Sequence, residues 1–398
     1  MWKLIPLVLL YTVASKLLYV ATVLRHGARY PISDMYDGKD TSKFHGQLTT
    51  IGMRQQYLLG SYMRADYIAK DKLINSTLNP KELEAFSDDS ERCVESTICY
   101  LMGLFPFGSG NTIPDGINKS MLDPPFQSFL STNLRTESLL AQEFGLEKGF
   151  QPVPYFNASQ FFPTCPNDNI IYSNRLRVVA TQLGKFQAEQ AAFTDKMRLV
   201  FNLTTDQSTV AGLFDLYDVV ISDKYLGRPM PDNFSDYDFD QLKFVQDYYF
   251  TLTYGGDPAK IYSTSVMKGI LANMNAAKDP ANKKKFSVYS THGASVMALL
   301  NFFNLTSPDC LERKWKNQTV TGNCAEPPPF AANMIFELYQ DDSSKELSVK
   351  IKYNGHYLNV CQGKEACPFS TFESAVQSQF VDVFKECGIK ASLERIVE

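Results

Sequence analysis

The sequence contains, at residues 25–31, the run Arg25-His26-Gly27-Ala28-Arg29-Tyr30-Pro31. An apolar and β-branched segment, residues 17–24, comes directly before this run, which predicts a buried strand that ends in a polar loop. Each arginine in the loop offers a planar fork of N–H donors that matches the oxygens of an anion. The segment therefore predicts an anion-binding loop at the end of a buried strand.

The order of strand, loop and helix recurs further along the chain. A strand is predicted at residues 84–86 and is followed by a helix over residues 91–104 that Pro106 ends. Another strand, at residues 286–290, leads through Thr291-His292-Gly293 into an apolar helix over residues 295–303. Because each loop holds or leads to His or Arg, we expect a mostly parallel α/β sheet with its ligand at the carboxyl ends of the strands.

One further helix and two further strands are predicted, and they agree with this fold class. Apolar residues recur at helical spacing over residues 49–69, with Thr49 as the predicted N-cap. Residues 333–339 and 347–353 predict two strands around a turn at residues 341–344. The resulting expectation is an α/β domain built from residues 16–106 and 271–398.

The middle of the chain, residues 107–270, lacks this repeated order of strand, loop and helix. It is rich in Asn, Asp, Phe and Tyr, and helical stretches are predicted at residues 176–196 and 240–253. We expect this region to form a smaller, largely helical cap that is inserted into the α/β domain.

The charge of the chain argues against a nucleic-acid partner. Its 398 residues carry a net charge of −4, whereas proteins that bind a phosphate backbone need clustered positive charge. The one basic run, residues 283–285, precedes a predicted strand and is interpreted as a solvated turn.

Several features indicate a protein that is secreted or lies in the lumen of a lysosome or vacuole. Residues 1–15 combine a basic start with a short apolar run, which favours a cleaved signal peptide over a stable membrane anchor. The eight cysteines are even in number, and Cys361 with Cys367, or Cys310 with Cys324, could close short disulfide loops. Glycosylation sequons occur at seven positions: Asn75, Asn118, Asn157, Asn202, Asn233, Asn304 and Asn317.

The run at residues 25–31 is the R-H-G-x-R-x-P signature, and the chain resembles the histidine acid phosphatases, branch 2 of the histidine phosphatase superfamily. The resemblance continues in order through most of the chain and is weakest in the central cap. It is carried by residues 46–64, by Ser87, Arg92 and Ser96, and by residues 104–106, 151–154, 289–292, 337–339, 353–354 and 367–368. It implies a phosphoglycerate-mutase-like sheet flanked by helices, with a smaller helical cap.

The resemblance also implies roles for five residues. His26 would attack the phosphorus of a phosphate monoester and form a phosphohistidine that water then hydrolyses, while Arg25, Arg29, Arg92 and His292 would bind the phosphate oxygens. An imidazole is a nucleophile only when neutral, so one ring nitrogen must be bare and the other held by a hydrogen bond. No cofactor is implied, and the oligomeric state stays open, with a homodimer among the alternatives.

The remaining histidines, His45 and His356, match no catalytic position and are interpreted as structural. None of the four histidines of the chain has the spacing of a metal site, so no metal is expected.

The sequence departs from this family where a proton donor is normally found. The family has an acid directly after the second histidine, but here that position is Gly293, and the hydroxyl of Ser295 is too weak an acid to replace it. Asp88, Asp89 and Glu337 remain as alternative donors. Because a general acid contributes about 10²–10⁴ in rate, its loss should most affect substrates with strongly basic leaving groups.

Three functions remain open at this point. The first is a lumenal acid phosphatase of reduced or unusual activity, and the second is a catalytically impaired pseudophosphatase that binds a phosphorylated ligand. The third is a structural glycoprotein, which the retained arginines and histidines disfavour.

Overall fold

The structure is a computed structural model that describes residues 15–32, 44–111, 149, 151–361 and 363–389. The predicted signal peptide, except Ser15, and the sequon at Asn118 lie outside the described residues.

One sheet of eight strands forms the centre of the molecule, and its order is β3-β2-β4-β1-β5-β6-β7, with β8 paired to β6. Strands β1 to β4 are mutually parallel and form one half of the sheet, whereas the C-terminal strands pair in antiparallel fashion. The predicted α/β fold is confirmed. The strands are β1 (Ser15–Arg25), β2 (Leu83–Ser87), β3 (Phe156–Asn157), β4 (Phe286–Thr291), β5 (Asn333–Asp341), β6 (Leu347–Tyr353), β7 (His356–Leu358) and β8 (Ala366–Pro368).

The parallel register brings the predicted site loops to one edge of the sheet. Arg25, at the end of β1, pairs with Thr291 at the end of β4. Ser87, at the end of β2, pairs with Ser290 of β4. All three strands therefore end at the same level, and the residues that follow them are neighbours in space although they lie far apart in sequence.

Eleven α-helices lie in the described residues. Thr49 caps α1 as predicted, since its side chain accepts a hydrogen bond from the Gly52 amide, and the helix continues into a π-helical turn at Arg64–Lys70. The helices are α1 (Thr50–Met63), α2 (Glu91–Leu104), α3 (Asp168–Glu189), α4 (Ala191–Val200), α5 (Val210–Tyr225), α6 (Asp236–Thr253), α7 (Asp257–Ala276), α8 (Gly293–Phe302), α9 (Pro308–Trp315), α10 (Phe369–Gln377) and α11 (Val383–Cys387).

The helices between β3 and β4 form a second core beside the sheet. Helices α3 to α6 bury apolar side chains against one another and against α9, whereas α7 packs into the core of the sheet. The single helix predicted over residues 176–196 is two helices, α3 and α4, which meet at Gln190. None of the helices in the described residues combines the length and apolar character needed to cross a bilayer.

Three disulfides connect the described cysteines. Both predicted short loops are closed, by Cys310–Cys324 and Cys361–Cys367. The third, Cys165–Cys387, links residues that are 222 positions apart and so ties the start of α3 to the C-terminal helix α11. Cys93 and Cys99 are free thiols.

Candidate active site

The loop after β1 is held by close contact between its backbone and α1. A Cβ atom on Gly27 would lie 2.4 Å from the carbonyl oxygen of Gly52, so both positions require glycine. The Gly27 amide donates to Ser96 Oγ at 3.1 Å, and the Ala28 amide donates to Gln55 Oε1 at 2.9 Å. The backbone on each side of the loop is thus fixed by two neighbouring helices.

These contacts orient the His26 imidazole, which is only 2 % exposed. Its Nδ1 lies 2.9 Å from the carbonyl oxygen of Gly27. Because a carbonyl only accepts, Nδ1 carries the proton and the lone pair is on Nε2. Burial, followed by the charges of Arg25 and Arg29, places the pKa of His26 well below its ordinary value. The ring is therefore neutral and presents one basic nitrogen.

Three arginine side chains line the same pocket as this imidazole. Burial and the nearby charge of Arg29 lower the pKa of Arg25 to about 10, which still leaves Arg25 cationic at acid and neutral pH. Arg25 donates from Nη1 to the Pro328 carbonyl at 2.5 Å, and its guanidinium lies over the Phe330 ring at 4.5 Å. The Nε groups of Arg25, Arg29 and Arg92 are buried and have no hydrogen-bond partner among the described residues. Buried unpaired donors are costly, and these three belong to side chains that line one pocket.

Arg29 is already engaged by a carboxylate. Asp218 of α5 accepts from Arg29 Nη2 at 2.6 Å and from Nη1 at 3.1 Å, which makes a bidentate ion pair. Arg29 Nη1 also donates to the Tyr30 carbonyl. Asp218 therefore occupies the edge of the guanidinium that its two Nη atoms form, and the Tyr30 carbonyl accepts from Nη1 as well.

The second histidine, His292, follows β4 and is the N-cap residue of α8. Its Nε2 lies 3.0 Å from Asp88 Oδ1, and its Nδ1 lies 3.3 Å from Arg92 Nη2. The carboxylate can only accept and the guanidinium can only donate, so Nε2 carries the proton and Nδ1 accepts. Although burial opposes it, the contact with His292 lowers the pKa of Asp88. Asp88 thus orients His292, and the two imidazole rings of the site lie 5.5 Å apart.

One group of side chains at this place has the composition of a metal site. The ligand atoms of Asp88, Cys93 and His292 lie within 4.8 Å of one another. Burial raises the pKa of the Cys93 thiol to about 12. The guanidinium of Arg92, which contacts His292 Nδ1, disfavours a cation beside this group.

All five predicted site residues line one pocket of about 450 Å³. The predicted structural histidines, His45 and His356, are not among its described lining residues. The helices between β3 and β4 close the opposite side of the pocket and contribute groups that the sequence analysis did not identify. From α5 and α6 these groups include Asp215, Asp218, Lys243, Asp247 and Phe250.

Gly293 also lines this pocket, as the first residue of α8. A Cβ atom there would lie 3.0 Å from Arg25 Nε, so a carboxyl group at this position would enter the arginine cluster. Of the alternative acids, Asp88 reaches the site through His292. Glu337 does not, because it is fully buried in β5, where it accepts hydrogen bonds from Tyr339 and Tyr357.

Comparison with known proteins identifies the family. The family model described as histidine phosphatase superfamily (branch 2) matches residues 36–354. The chain belongs to this family. The match covers most of the chain and includes Arg92 and His292, so the resemblance found in the sequence is confirmed.

Relatives and solved structures of the family agree with this assignment. The lysosomal acid phosphatase of Bos taurus is 25% identical over 411 residues, which cover 97% of this chain and 84% of the relative. The prostatic acid phosphatase of Bos taurus is 24% identical and covers 95% of this chain and 89% of the relative. The Hafnia alvei phytase in complex with myo-inositol hexakis sulphate has a TM-score of 0.64 at 14% identity and covers 94% of this chain and 98% of that one. At that identity, the likeness to the phytase shows the fold alone.

Proposed function

We propose that the protein hydrolyses phosphate monoesters through a phosphohistidine on His26. The observation that carries this proposal is the hydrogen bond between His26 Nδ1 and the Gly27 carbonyl, which leaves the Nε2 lone pair free on a ring that lines the same pocket as three arginines. The chain belongs to the histidine phosphatase superfamily and is 24–25% identical to two acid phosphatases, which supports the same type of reaction.

The proposed reaction has two displacements at phosphorus. In the first, His26 Nε2 forms a bond to phosphorus while the bond from phosphorus to the ester oxygen breaks, and the alcohol leaves after it gains a proton. In the second, a water oxygen attacks phosphorus, the bond to Nε2 breaks, and phosphate departs. Arg25, Arg29 and Arg92 stabilise the charge on the non-bridging oxygens in both steps, because their donors are fixed before the substrate binds.

The site is suited to acid conditions. Since the pKa of His26 lies well below its ordinary value, its Nε2 stays unprotonated at pH values where an exposed imidazole would be cationic. The amino end of α8, which begins directly after His292, adds partial positive charge on the same side of the pocket. Both features favour an acid phosphatase.

The proposal includes a lumenal location, in a lysosome or vacuole or outside the cell. All six sequon asparagines in the described residues are exposed, as glycosylation requires, and three disulfides are typical of an oxidising compartment. The lysosomal acid phosphatases among the relatives support the same location.

A second candidate function is a phosphate-binding pseudophosphatase. Gly293 favours it, because the first residue of α8 lines the pocket beside Arg25 but offers no proton. In that case the pocket would bind a phosphorylated ligand with the same arginines and release it unchanged.

One assay separates the two. We expect the purified protein to hydrolyse p-nitrophenyl phosphate at acid pH and the His26→Ala variant to lose this activity while it still binds vanadate or phosphate. Binding of phosphate by the wild type without turnover of any ester would instead support the pseudophosphatase. If the wild type neither binds phosphate nor hydrolyses an ester, both proposed functions are ruled out.

A further inference from the structure

A short loop before β5 is bonded directly to the residues that carry the site. The Ala331 amide donates to the His26 carbonyl at 3.0 Å, and the Ala332 carbonyl accepts from the Arg25 amide at 2.9 Å. The Pro328 carbonyl accepts from the side chain of Arg25. Three hydrogen bonds therefore fix this loop to the end of β1.

The same loop holds the side chain of Phe330 in the pocket, where it is 7% exposed. Ala331, the next residue, has a φ of 59°, in the left-handed region that residues with a Cβ atom seldom adopt. Such a conformation costs free energy and persists only where the surrounding contacts enforce it. Tyr225, the last residue of α5, packs against the Phe330 ring with 5.6 Å between the ring centroids. The position of the ring is thus fixed by the loop on one side and by a helix on the other.

The Phe330 ring contacts three of the five predicted site residues. Its centroid lies 4.5 Å from the guanidinium carbon of Arg25 and 5.6 Å from that of Arg29, and both distances are within the range of a cation–π interaction. The centroid of the His26 imidazole is 5.8 Å away, with an angle of 44° between the two rings. One aromatic ring therefore packs against the proposed nucleophile and against two of the arginines.

The two arginines carry like charges in one pocket. The charge of Arg29 adds to the effect of burial in lowering the pKa of Arg25. Asp218 forms an ion pair with Arg29, whereas Arg25 has no carboxylate partner among the described residues. The Pro328 carbonyl and the electron-rich face of Phe330 are therefore the groups that stabilise the Arg25 charge before an anion binds.

We propose that Phe330 is a positioning residue, whose ring holds Arg25, Arg29 and His26 in the arrangement that binds a phosphate group. The proposal rests on the function proposed above, since it takes this pocket to be the phosphate site. Without the ring, the repulsion between the two guanidiniums is balanced only when phosphate arrives, so binding must also bring them together. The imidazole of His26 would at the same time lose a surface against which it packs.

The test measures the dissociation constant of inorganic phosphate by titration calorimetry. Phe330→Leu should raise this constant by about 5- to 30-fold, because two cation–π contacts are lost while the residue stays apolar. Phe330→Tyr keeps the ring face and should stay within about threefold of the wild type. In Phe330→Leu, kcat/KM for p-nitrophenyl phosphate should fall by at least the factor by which phosphate binding weakens, since the nucleophile also loses a contact.

The matched control is Phe250→Leu. Phe250 lines the same pocket and is also 7% exposed, but its ring packs against Phe214 and Tyr254 rather than against an arginine. A purely structural role would make the two leucine variants alike, with similar losses in the free energy of unfolding and equal affinity for phosphate. We expect weaker phosphate binding in Phe330→Leu alone. If this variant does not fold, Phe330→Met fills the space with a flexible apolar chain and should show the same loss of affinity.

Three results distinguish the proposal from its alternatives. An unchanged dissociation constant in Phe330→Leu, or an equal rise in Phe250→Leu, would overturn the positioning role. Phosphate binding by Phe330→Tyr that is as weak as that of Phe330→Leu would also overturn it, because the ring face is then not what matters. A wild type that binds phosphate but hydrolyses no ester would refute the phosphatase function alone, since the dissociation constants still test the role of Phe330.

Discussion

Replacement of Gly27 by Ala tests whether the contact between the His26 loop and α1 sets the geometry of the nucleophile. The added Cβ would lie 2.4 Å from the Gly52 carbonyl oxygen and 2.6 Å from its Cα, whereas ordinary contacts of a Cβ atom are 3.4–4 Å. The loop and the helix must therefore separate by about 1 Å, since both partners are backbone and no side chain can rotate away.

Two effects follow from this separation. Overpacking of this kind lowers the free energy of unfolding by about 1–3 kcal/mol. The same displacement moves the carbonyl that holds His26 Nδ1, and a misplacement of about 1 Å lowers a catalytic rate by about 10²-fold. We expect both losses together in Gly27→Ala.

The assay measures kcat for p-nitrophenyl phosphate at acid pH together with the free energy of unfolding by chemical denaturation. Gly184→Ala is the matched control, because nothing lies within 4 Å of the new methyl group. As Gly184 is inside α3, this control should be neutral or more stable by up to about 1 kcal/mol. Full activity and stability in Gly27→Ala would refute the argument that the glycine contact positions the nucleophile.

Three other predictions concern the arginines of the pocket, the pH dependence of the free energy of unfolding, and the disulfides. Arg92→Ala should raise the inhibition constant of inorganic phosphate by about 10- to 100-fold, since one charge-assisted hydrogen-bond donor is lost; an unchanged constant would remove Arg92 from the site. The pKa of His26 is depressed in the folded state, so below about pH 6.5 the unfolded chain binds a proton at this residue that the folded chain does not. The free energy of unfolding should therefore fall by up to about 1.4 kcal/mol for each pH unit because of His26. In His26→Asn this contribution should be absent from denaturation curves measured between pH 7 and 5, and an identical pH dependence would contradict the buried neutral ring. Loss of the Cys165–Cys387 disulfide in the double alanine variant should lower the free energy of unfolding by about 2–5 kcal/mol, whereas Cys99→Ala, which removes a free thiol, should have little effect.

The local patterns of the sequence were sufficient to predict the part of the fold that carries the site. The apolar run before Arg25 and the run before His292 lie in strands β1 and β4; β4 is fully buried, and β1 is buried from Tyr19 to Leu24. Parallel strands that are buried on both faces are largely apolar, so a charged loop that follows such a strand is recognisable in the sequence. The helix after Thr49 was predictable for a similar reason, since its cap and its periodicity are local.

Contacts between distant segments could not be predicted in this way. Asp218 meets Arg29 across 189 positions of sequence, and it lies in a helix with no motif of its own. The carbonyl of Pro328 and the ring of Phe330 complete the surroundings of Arg25 from a loop before β5. The run of prolines at residues 327–329 was a visible signal for a rigid segment, but nothing in it indicates which side chain it contacts.

The central claim is that His26 becomes covalently phosphorylated, and trapping the intermediate tests it most directly. The protein would be mixed with p-nitrophenyl phosphate, quenched in alkali, where phosphohistidine is stable, and digested for peptide mass spectrometry. We predict one phosphoryl group on the peptide that contains His26, absent after brief acid treatment and absent in His26→Ala. Turnover with no phosphorylated peptide, or with the phosphoryl group on another residue, would contradict the account.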